Sequence, residues 1–322
     1  MKLRPLKLKP AVRSYIWGGT KLKEFWGKES DSDSIAECWE LSMYTDSESI
    51  VDDPAFYEYT LSKLQRNYPE FFGDKVNDYS KFPILVKLLD ASADLSIQVH
   101  PDDVYAMARE GGQLGKNEVW YIADAEEGSA IYYGFNRDVT KDEVIDGVVN
   151  GTITELLNRC PVKKGDCFFV PAGTVHALQK GVTVIEVQQS SDITYRIYDY
   201  GRKGKSGAPR KLHIREALEV MNLKKSELPV PHETKELSNG SKIRLLTKNG
   251  YFTSKEVKIE NGEYLIYSEE SFVTFTVADG SAHFETGEEI KKGDTWFIPA
   301  YYMAKVISNN NNSSVTLVVT II

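Results

Sequence analysis

Short apolar runs separated by turns make up most of this chain of 322 residues. The runs are rich in Val, Ile, Leu and aromatic residues, and clusters of Gly, Asp and Asn separate them, which is typical of antiparallel β-structure. We predict strands at 83–89, 94–99, 117–123, 166–170, 182–188, 243–248, 263–267, 272–278 and 314–322. Apolar residues at helical spacing are confined to 54–72, 102–110, 138–158 and 212–222. The pattern therefore predicts a mainly β fold, an antiparallel barrel or jelly roll with short helical insertions.

An internal repeat indicates that the chain contains two related β-units. The sequence KKGDCFFVPA at 163–172 matches KKGDTWFIPA at 291–300 in seven of ten positions. Both copies predict a tight Lys-Lys-Gly-Asp turn, a buried strand and a proline that ends the strand. The first unit also contains additional residues at 134–158, where we predict helices. We therefore predict two domains, the first over 1–228 with the helical insertions and the second over 229–322.

One histidine distinguishes the two copies of the repeat. Gly173-Thr-Val-His176 follows the first copy and Tyr301-Tyr-Met-Ala304 follows the second, so that His176 corresponds to Ala304. The scaffold is present twice, but only the first copy has a histidine at this position. This asymmetry predicts a functional site in the first unit and none at the equivalent place in the second.

Polar side chains on three predicted strands form a candidate metal-binding set. Gln98 and His100 are two residues apart and therefore share one face of a strand, and so do Lys116 and Glu118. With His176 they offer nitrogen and oxygen ligands without a thiolate, which suits Zn²⁺, Mn²⁺ or Fe²⁺. The alternative for each histidine taken alone is a structural role. We assign no site role to the remaining histidines, His213, His232 and His283.

The composition argues against several classes of partner and location. The formal net charge of −8 argues against nucleic acid and anionic membranes as partners. No apolar stretch is long enough to span a membrane, and the basic start of the chain has no apolar run behind it. The three scattered cysteines predict neither a disulfide framework nor a CxxC metal site. We expect a cytoplasmic protein, a monomer or weak homo-oligomer, in which asparagines 309–312 form a polar turn.

Several motifs resemble a known enzyme family. Gly165-Asp166 through His176 resembles the second motif of the cupin superfamily, and Gln98-x-His100 with Glu118 resembles the first motif with an insertion. FPILVKLLDASADLSIQVHPDD at 82–103 is similar to the signature of the type I mannose-6-phosphate isomerases. Further matches follow in the family's order: SYIWGG at 14–19, AECWELS at 36–42, GKNEVWYI at 115–122, PAGTVHAL at 171–178 and SSDITYRIYDYGR at 190–202. The chain lacks the large helical domain of longer members and therefore resembles the short bacterial form.

The resemblance implies a fold, a reaction and a metal. The fold would be two cupin-like antiparallel jelly-roll barrels with short helical insertions, of which the second lacks the metal site. The reaction would interconvert mannose 6-phosphate and fructose 6-phosphate through a cis-enediol, with one Zn²⁺ per chain. The implied zinc ligands are His100, Glu118 and His176, with Gln98 as a fourth.

The resemblance also implies roles for residues around the metal. Arg196 matches a catalytic arginine, and Lys116 and Asp192 match pocket positions that we include among the catalytic candidates. Lys87 and Trp17 are the candidates for substrate binding. The group that removes the carbon-bound proton stays open between Lys116, Asp192 and a metal-bound water.

Some of these side chains also have a structural alternative. The alternative for Arg196 is a surface strand arginine that pairs with Asp192 or Asp199, and the alternative for Trp17 is a core position. Lys87 has apolar neighbours on both sides in PILVKLL, so its amine either reaches solvent or points into a polar cavity.

The binding of a phosphate group is less determined by the sequence. The chain contains no P-loop and no glycine-rich phosphate motif. Candidates are Lys87, Lys116, Arg196 and a basic loop over 202–211, which we interpret as a solvated surface turn in preference to a mobile edge of the pocket. The negative net charge does not exclude a sugar phosphate, because such a substrate interacts with a few local charges.

Two other functions stay open at this stage. A different metal-dependent cupin enzyme, such as a dioxygenase or another sugar-phosphate isomerase, would have the same fold. A non-catalytic sugar-binding cupin is the second alternative, although the complete set of candidate ligands in the first unit argues against it.

Overall fold

Strands and helices alternate in the first two-thirds of the protein. The computed structural model describes residues 2–204, 207–308 and 314–322, so that Lys205 of the basic loop and asparagines 309–312 lie outside the described residues. From residue 234 onward the described residues form strands and no helix. None of the described helices is long and apolar enough to cross a membrane.

The described residues up to 228 form strands, α-helices and short 3₁₀ turns. In chain order the strands and α-helices are β1 (Leu6–Lys9), β2 (Ala11–Arg13), α1 (Lys21–Trp26), β3 (Glu37–Leu41), β4 (Ile50–Val51), α2 (Leu61–Asn67), β5 (Ile84–Ala91), β6 (Ile97–Val99), α3 (Asp103–Arg109), β7 (Glu118–Ala125), β8 (Ala130–Phe135), α4 (Lys141–Asn150), β9 (Leu157–Pro161), β10 (Cys167–Val170), β11 (His176–Leu178), β12 (Val182–Gln189), β13 (Tyr195–Tyr198) and α5 (Ile214–Val220). The 3₁₀ turns are Pro54–Phe56, Pro69–Phe71, Asp74–Asp78 and Ile153–Leu156.

Residues 229–322 form the strands of the second unit. They are β14 (Thr234–Glu236), β15 (Ser241–Lys248), β16 (Thr253–Ile259), β17 (Gly262–Ile266), β18 (Val273–Phe284), β19 (Glu289–Lys291), β20 (Thr295–Ile298), β21 (Ala304–Ser308) and β22 (Val315–Ile321).

Proline and glycine explain where the predicted helices end. The segment predicted as helical over 54–72 consists of a 3₁₀ turn, α2 and a second 3₁₀ turn, because Pro69 cannot continue α2. The predicted segment 138–158 divides into α4 and a 3₁₀ turn, since Gly151 ends α4 with φ at 73°. α3 and α5 lie within the two remaining predicted segments.

Two antiparallel sheets of the first unit share one core. The strand order is β10-β7-β12-β5-β3-β2 in one sheet and β13-β6-β11-β8-β9 in the other. Leu89 and Trp120 from the first sheet pack in one apolar cluster with Ile131 and Leu178 from the second. Every predicted strand is present, and the mainly β, antiparallel fold is confirmed.

The sheet of the second unit also contains strands from the start of the chain. Its order is β14-β15-β16-β22-β18-β20-β1-β4, with β17, β19 and β21 attached beside this path. β1 pairs antiparallel with β20, so that Leu6 lies opposite Phe297. The division into domains over 1–228 and 229–322 stays a prediction, since β1 and β4 belong to this second sheet.

The two copies of the repeat form the same elements in the same order. β10 and β20 follow the two turns, and β11 then begins at His176 where β21 begins at Ala304. Both turns contain a glycine at positive φ, Gly165 at 91° and Gly293 at 89°. Gly293 lies against the carbonyl oxygen of Trp26, where a Cβ atom would not fit. The second turn therefore serves as a close contact for α1.

An aromatic cluster joins the two units. Phe72 and Phe82 of the first unit contact Phe272 and Phe297 of the second, with ring centroids 4.8 Å apart for Phe72 and Phe297 and 5.6 Å apart for Phe82 and Phe272. Phe272 and Phe297 stack on each other at 4.9 Å. All four side chains are buried, so the cluster contributes to the stability of both units.

Phe272→Ala is expected to destabilise the protein by about 3–5 kcal/mol, because it removes a fully buried ring and leaves a cavity between the units. Denaturant unfolding followed by fluorescence measures this loss. Phe25→Ala is the matched control, since Phe25 is 62% exposed, and its effect should stay within about 0.5 kcal/mol. Equal losses in the two variants would contradict the role of the cluster.

Candidate active site

Three side chains of the predicted ligand set meet at strand ends in the first unit. Glu118 begins β7, His176 begins β11, and His100 directly follows β6. β6 and β11 are neighbours, with Gln98 opposite His176. One ligand atom from each of His100, Glu118 and His176 lies within 4.8 Å of the other two, and the three side chains are buried. The fold thus brings together residues that are far apart in the chain.

Backbone carbonyls fix the tautomer of both histidines. Nδ1 of His100 lies 2.7 Å from the carbonyl oxygen of Ile193, and Nδ1 of His176 lies 2.8 Å from that of Thr174. A carbonyl oxygen only accepts, so each Nδ1–H must donate and each Nε2 carries the lone pair. The two Nε2 atoms face Glu118, at 3.7 Å for His100 and 3.3 Å for His176. This arrangement of outer partners is typical of metal-binding histidines.

Burial keeps both imidazoles neutral. It lowers the pKa of His176 to about 4. It also lowers the pKa of His100 well below the ordinary value, and Lys116 adds to that effect. Burial raises the pKa of Glu118 as well, with a further contribution from Glu186, although Lys116 opposes the shift. The imidazoles are therefore in the form that can coordinate a metal ion at neutral pH.

The donor atoms of this group fit a divalent cation. Neither oxygen of Glu118 has a hydrogen bond of good geometry among the described residues, although Lys116 Nζ is 2.9 Å from Oε2. A carboxylate and two nitrogen lone pairs are all acceptors, so they cannot form hydrogen bonds with one another. A cation placed between them would interact favourably with all three. The amide nitrogen of Gln98 is 3.4 Å from His176 Nε2, and a flip of the amide would bring its oxygen to that position.

A cavity of about 280 Å³ opens next to this group. It is lined by all the remaining residues that the sequence analysis selected, Trp17, Lys87, Gln98, Lys116, Asp192 and Arg196. Lys116 connects the cavity to the ligand group, because its Nζ is also 3.3 Å from His100 Nε2. The candidate ligands and the candidate substrate-binding residues therefore belong to one site.

Lys87 points into the cavity and does not reach solvent. Its Nζ is 3.4 Å from Glu37 and 3.9 Å from both Glu186 and Asp192. Burial alone would lower the pKa of Lys87, but Glu37, Glu186 and Asp192 outweigh burial and raise it above the ordinary value. Lys87 is therefore a buried ammonium group surrounded by carboxylates, at the wall of the cavity.

Two carboxylates that line this cavity, Glu37 and Glu186, are not among the site residues predicted from the sequence. Trp39 Nε1 donates to Glu37 at 2.7 Å, and Trp120 Nε1 donates to Glu186 at 2.8 Å. A weak signal existed, because Glu37 begins a fully buried strand, Glu186 lies inside another, and a buried charge is costly unless it has partners. Burial raises the pKa of Glu186, but Lys116 and Lys87 outweigh this and lower it.

Arg196 is half-buried and faces the cavity. Its guanidinium donates to Ser96 Oγ at 3.2 Å and to the carbonyl oxygen of Lys211 at 3.1 Å. Among the described side chains neither Asp192 nor Asp199 forms an ion pair with it, so the alternative of a paired surface arginine is not observed. Burial lowers the pKa of Arg196, and the nearby charge of Arg210 adds to this.

The described part of the basic loop is held in place by Asp199, which differs from the predicted solvated turn. Arg202 and Arg210 both form ion pairs with the Asp199 carboxylate, and Arg210 lines the cavity. His213 also lines the cavity, whereas the sequence predicts no site role for it. The backbone N–H of Arg196 donates to His213 Nδ1 at 3.3 Å.

Trp17 occupies a core position and also lies at the wall of the cavity. It is buried within the apolar cluster of the first unit, and it also lines the cavity. Tyr15 stacks on it, with ring centroids 5.7 Å apart.

The second unit has an apolar core at the position of His176. Ala304 is buried in a cluster with Ile266, Ile298 and Val306. Within residues 2–204, 207–308 and 314–322, His100, Glu118 and His176 are the one group of this kind with metal-binding geometry. The predicted asymmetry between the two copies of the repeat is therefore present in the structure.

Comparisons with known proteins agree with the motifs. The family model for the catalytic domain of type I phosphomannose isomerase matches residues 5–128. The mannose-6-phosphate isomerase ManA of Bacillus subtilis is 38% identical over 306 residues, which cover 93% of this chain and 94% of that protein. A crystal structure of the mannose 6-phosphate isomerase from Bacillus subtilis superposes with a TM-score of 0.89 and 36% identity over 99% of both chains.

A more distant structure shares the fold. That of a putative mannosephosphate isomerase from Archaeoglobus fulgidus covers 99% of this chain with a TM-score of 0.76 at 23% identity. Sequence identity, coverage and fold thus agree with the motif order, and the chain belongs to the type I mannose-6-phosphate isomerases, a family of aldose–ketose isomerases.

Proposed function

We propose that this chain interconverts mannose 6-phosphate and fructose 6-phosphate, using one Zn²⁺ bound by His100, Glu118 and His176 with Gln98 as a fourth ligand. One observation carries the proposal: the buried ligand group lies next to a cavity that is also lined by arginines. Lys116 connects the two, because it contacts Glu118 and lines the cavity. Relatives named for this activity match the chain over more than nine-tenths of its length.

The ligand chemistry supports zinc. Two neutral imidazoles and one carboxylate form a set that catalytic zinc sites commonly use, with positions left open for substrate or water. When bound, the ion supplies a Lewis acid that polarises oxygen atoms of the substrate.

Strand β6 and its flanking residues set the orientation of the substrate. Ser96, Gln98 and His100 alternate along one face, so that Ser96 and His100 lie about 13 Å apart in an extended strand. Ser96 contacts Arg196, whereas His100 belongs to the ligand group. We therefore place the phosphate near Arg196, and the C1–C2 end of the open-chain sugar near His100.

The arginine cluster supports this placement of the phosphate. Arg202 and Arg210 share one buried carboxylate, Asp199, and Arg196 lies near them without an acidic partner of its own among the described residues, which leaves an excess of positive charge at this end of the cavity. A phosphate monoester carries up to two negative charges and accepts several hydrogen bonds from guanidinium groups. This role for Arg196 differs from the catalytic one that the family resemblance implies.

We assign the proton transfer to Glu186. Its Oε2 is fixed by Trp120, while Oε1 has no hydrogen bond within the described part of the chain and lies 3.8 Å from Lys116. A fixed carboxylate with one free oxygen can take the proton from C2 of the aldose and return it to C1, through a cis-enediol. Lys116 donates to the oxygen on which negative charge develops.

The test is a coupled assay that detects fructose 6-phosphate formed from mannose 6-phosphate by purified protein. We expect turnover that a chelator removes and added Zn²⁺ restores. Unphosphorylated mannose serves as the control, and it should be converted far less efficiently because it cannot use the arginine cluster. A metal-replete protein that produces no fructose 6-phosphate would show that the proposed function is wrong.

A further inference from the structure

Asp199 is a buried carboxylate that serves two arginines without lining the cavity. It is 4% exposed and directly follows β13. Arg202 Nη2 lies 2.5 Å from its Oδ1, and Arg210 Nε lies 2.6 Å from its Oδ2, while Arg210 Nη2 also donates to Oδ1. Both oxygens therefore accept charge-assisted hydrogen bonds.

The two arginines have different freedom. The remaining nitrogens of Arg202 donate to the backbone carbonyl oxygens of Asp94 and Asp199, so Arg202 links Asp199 to the backbone. Arg210 has its Nε and Nη2 edge on the carboxylate, and its side chain lines the cavity. A guanidinium held in this way keeps Nη1 for a ligand. An isolated antiparallel β-bridge pairs Lys203 with Pro209, the residues next to Arg202 and Arg210.

The negative charge of Asp199 weakens the attraction of the neighbouring arginines for an anionic ligand. Asp199 must therefore contribute something other than charge. Its contacts indicate that it orients Arg210, since two hydrogen bonds to Asp199 fix the plane of the Arg210 guanidinium beside the cavity. Misplacing a substrate-binding group by about 1 Å can cost up to a hundredfold in rate.

We propose that Asp199 is a positioning residue that holds Arg210 against the cavity and thereby sets the affinity of the site for the phosphate monoester of its substrate. This inference rests on the proposed function, because it assigns the arginine end of the cavity to phosphate.

The sign of one change separates orientation from charge. Asp199→Asn keeps the shape of the side chain but removes its negative charge. If Asp199 acted only through its charge, the variant would bind phosphate more tightly, because the cluster would become more positive. If Asp199 positions Arg210, the variant binds phosphate more weakly despite the added positive charge.

The experiment compares wild type and Asp199→Asn in two measurements. The first is the KM and kcat for mannose 6-phosphate, and the second is the binding of inorganic phosphate by calorimetry. We expect KM and the phosphate Kd to rise about tenfold, with kcat within about threefold and with zinc content unchanged. An unchanged or lower phosphate Kd would overturn the proposal. A wild type that binds phosphate but does not convert mannose 6-phosphate would instead overturn the proposed function.

Arg210→Gln keeps the inference testable if Asp199→Asn folds poorly, because an unchanged phosphate Kd in that variant would also overturn the proposal, and a double-mutant cycle applies where both variants fold. Arg210→Gln alone should weaken phosphate binding, and adding Asp199→Asn to it should change the Kd little, because Asp199 acts through Arg210. Additive effects would contradict the proposal. The matched control is Asp53→Asn, which breaks the Arg4–Asp53 ion pair outside the cavity and should leave KM and the phosphate Kd unchanged.

Discussion

His176→Ala is expected to lose bound zinc and to lower the turnover of mannose 6-phosphate by at least about a thousandfold. Loss of an outer partner of a metal ligand typically costs about 10–100-fold, and this change removes a ligand itself. His176 contributes one of three donor atoms within 4.8 Å of one another. Elemental analysis gives the metal content, and the coupled assay gives the activity. A variant with full zinc stoichiometry would contradict the ligand assignment.

Ala304→His is the matched control for this experiment, because it places a histidine at the equivalent position of the second unit. Ala304 is buried among apolar side chains, and no carboxylate group with metal-binding geometry lies there among the described residues. The variant should therefore bind one zinc per chain, as we expect of the wild type. Overpacking should lower its stability by about 1–3 kcal/mol.

Arg196→Ala is expected to keep its zinc but to lower kcat/KM for mannose 6-phosphate by about a hundredfold, which corresponds to about 2.7 kcal/mol of lost transition-state stabilisation. The guanidinium lies beside Ser96 and Arg210 at the end of the cavity where we place the phosphate. Steady-state kinetics and elemental analysis measure the two effects. An unchanged kcat/KM would return Arg196 to a structural role.

Two further variants make the Arg196 result specific. Arg196→Lys keeps a positive charge but loses the planar fork, so it should recover only part of the lost efficiency. Arg215→Ala removes an arginine that is 88% exposed and pairs with Glu219 on the surface of α5, and its kinetics should match those of wild type. Equal losses in Arg196→Ala and Arg215→Ala would indicate a general effect of charge.

Strand alternation and the internal repeat are sufficient to select from the sequence the three side chains that the structure brings together as a candidate metal-binding group. Gln98 and His100 share a face because they are two residues apart, and the repeat isolates His176 by its contrast with Ala304. The first argument needs only the spacing of residues along one strand, and the second needs only a comparison of two copies of one motif. The strands themselves are equally accessible, since each predicted run of apolar residues forms a strand.

The remaining features depend on contacts between distant parts of the chain. Glu186 lies in a strand that is buried on both faces, so alternation cannot show that it points into a cavity. Arg210 and His213 reach the cavity because the chain before them is held by the buried Asp199. The charges of the loop alone resemble those of a solvated turn, and only the position of its carboxylate partner distinguishes the two.

The pairing of Leu6 with Phe297 has a consequence for how the protein is made. During synthesis β1 leaves the ribosome long before its partner β20, because most of the described chain lies between the two strands. Until then β1 and β4 have no sheet to join, and unpaired strand edges favour association between nascent chains. Translation of β20 therefore completes the sheet that β1 and β4 join, and products truncated before β20 are expected to depend on chaperones.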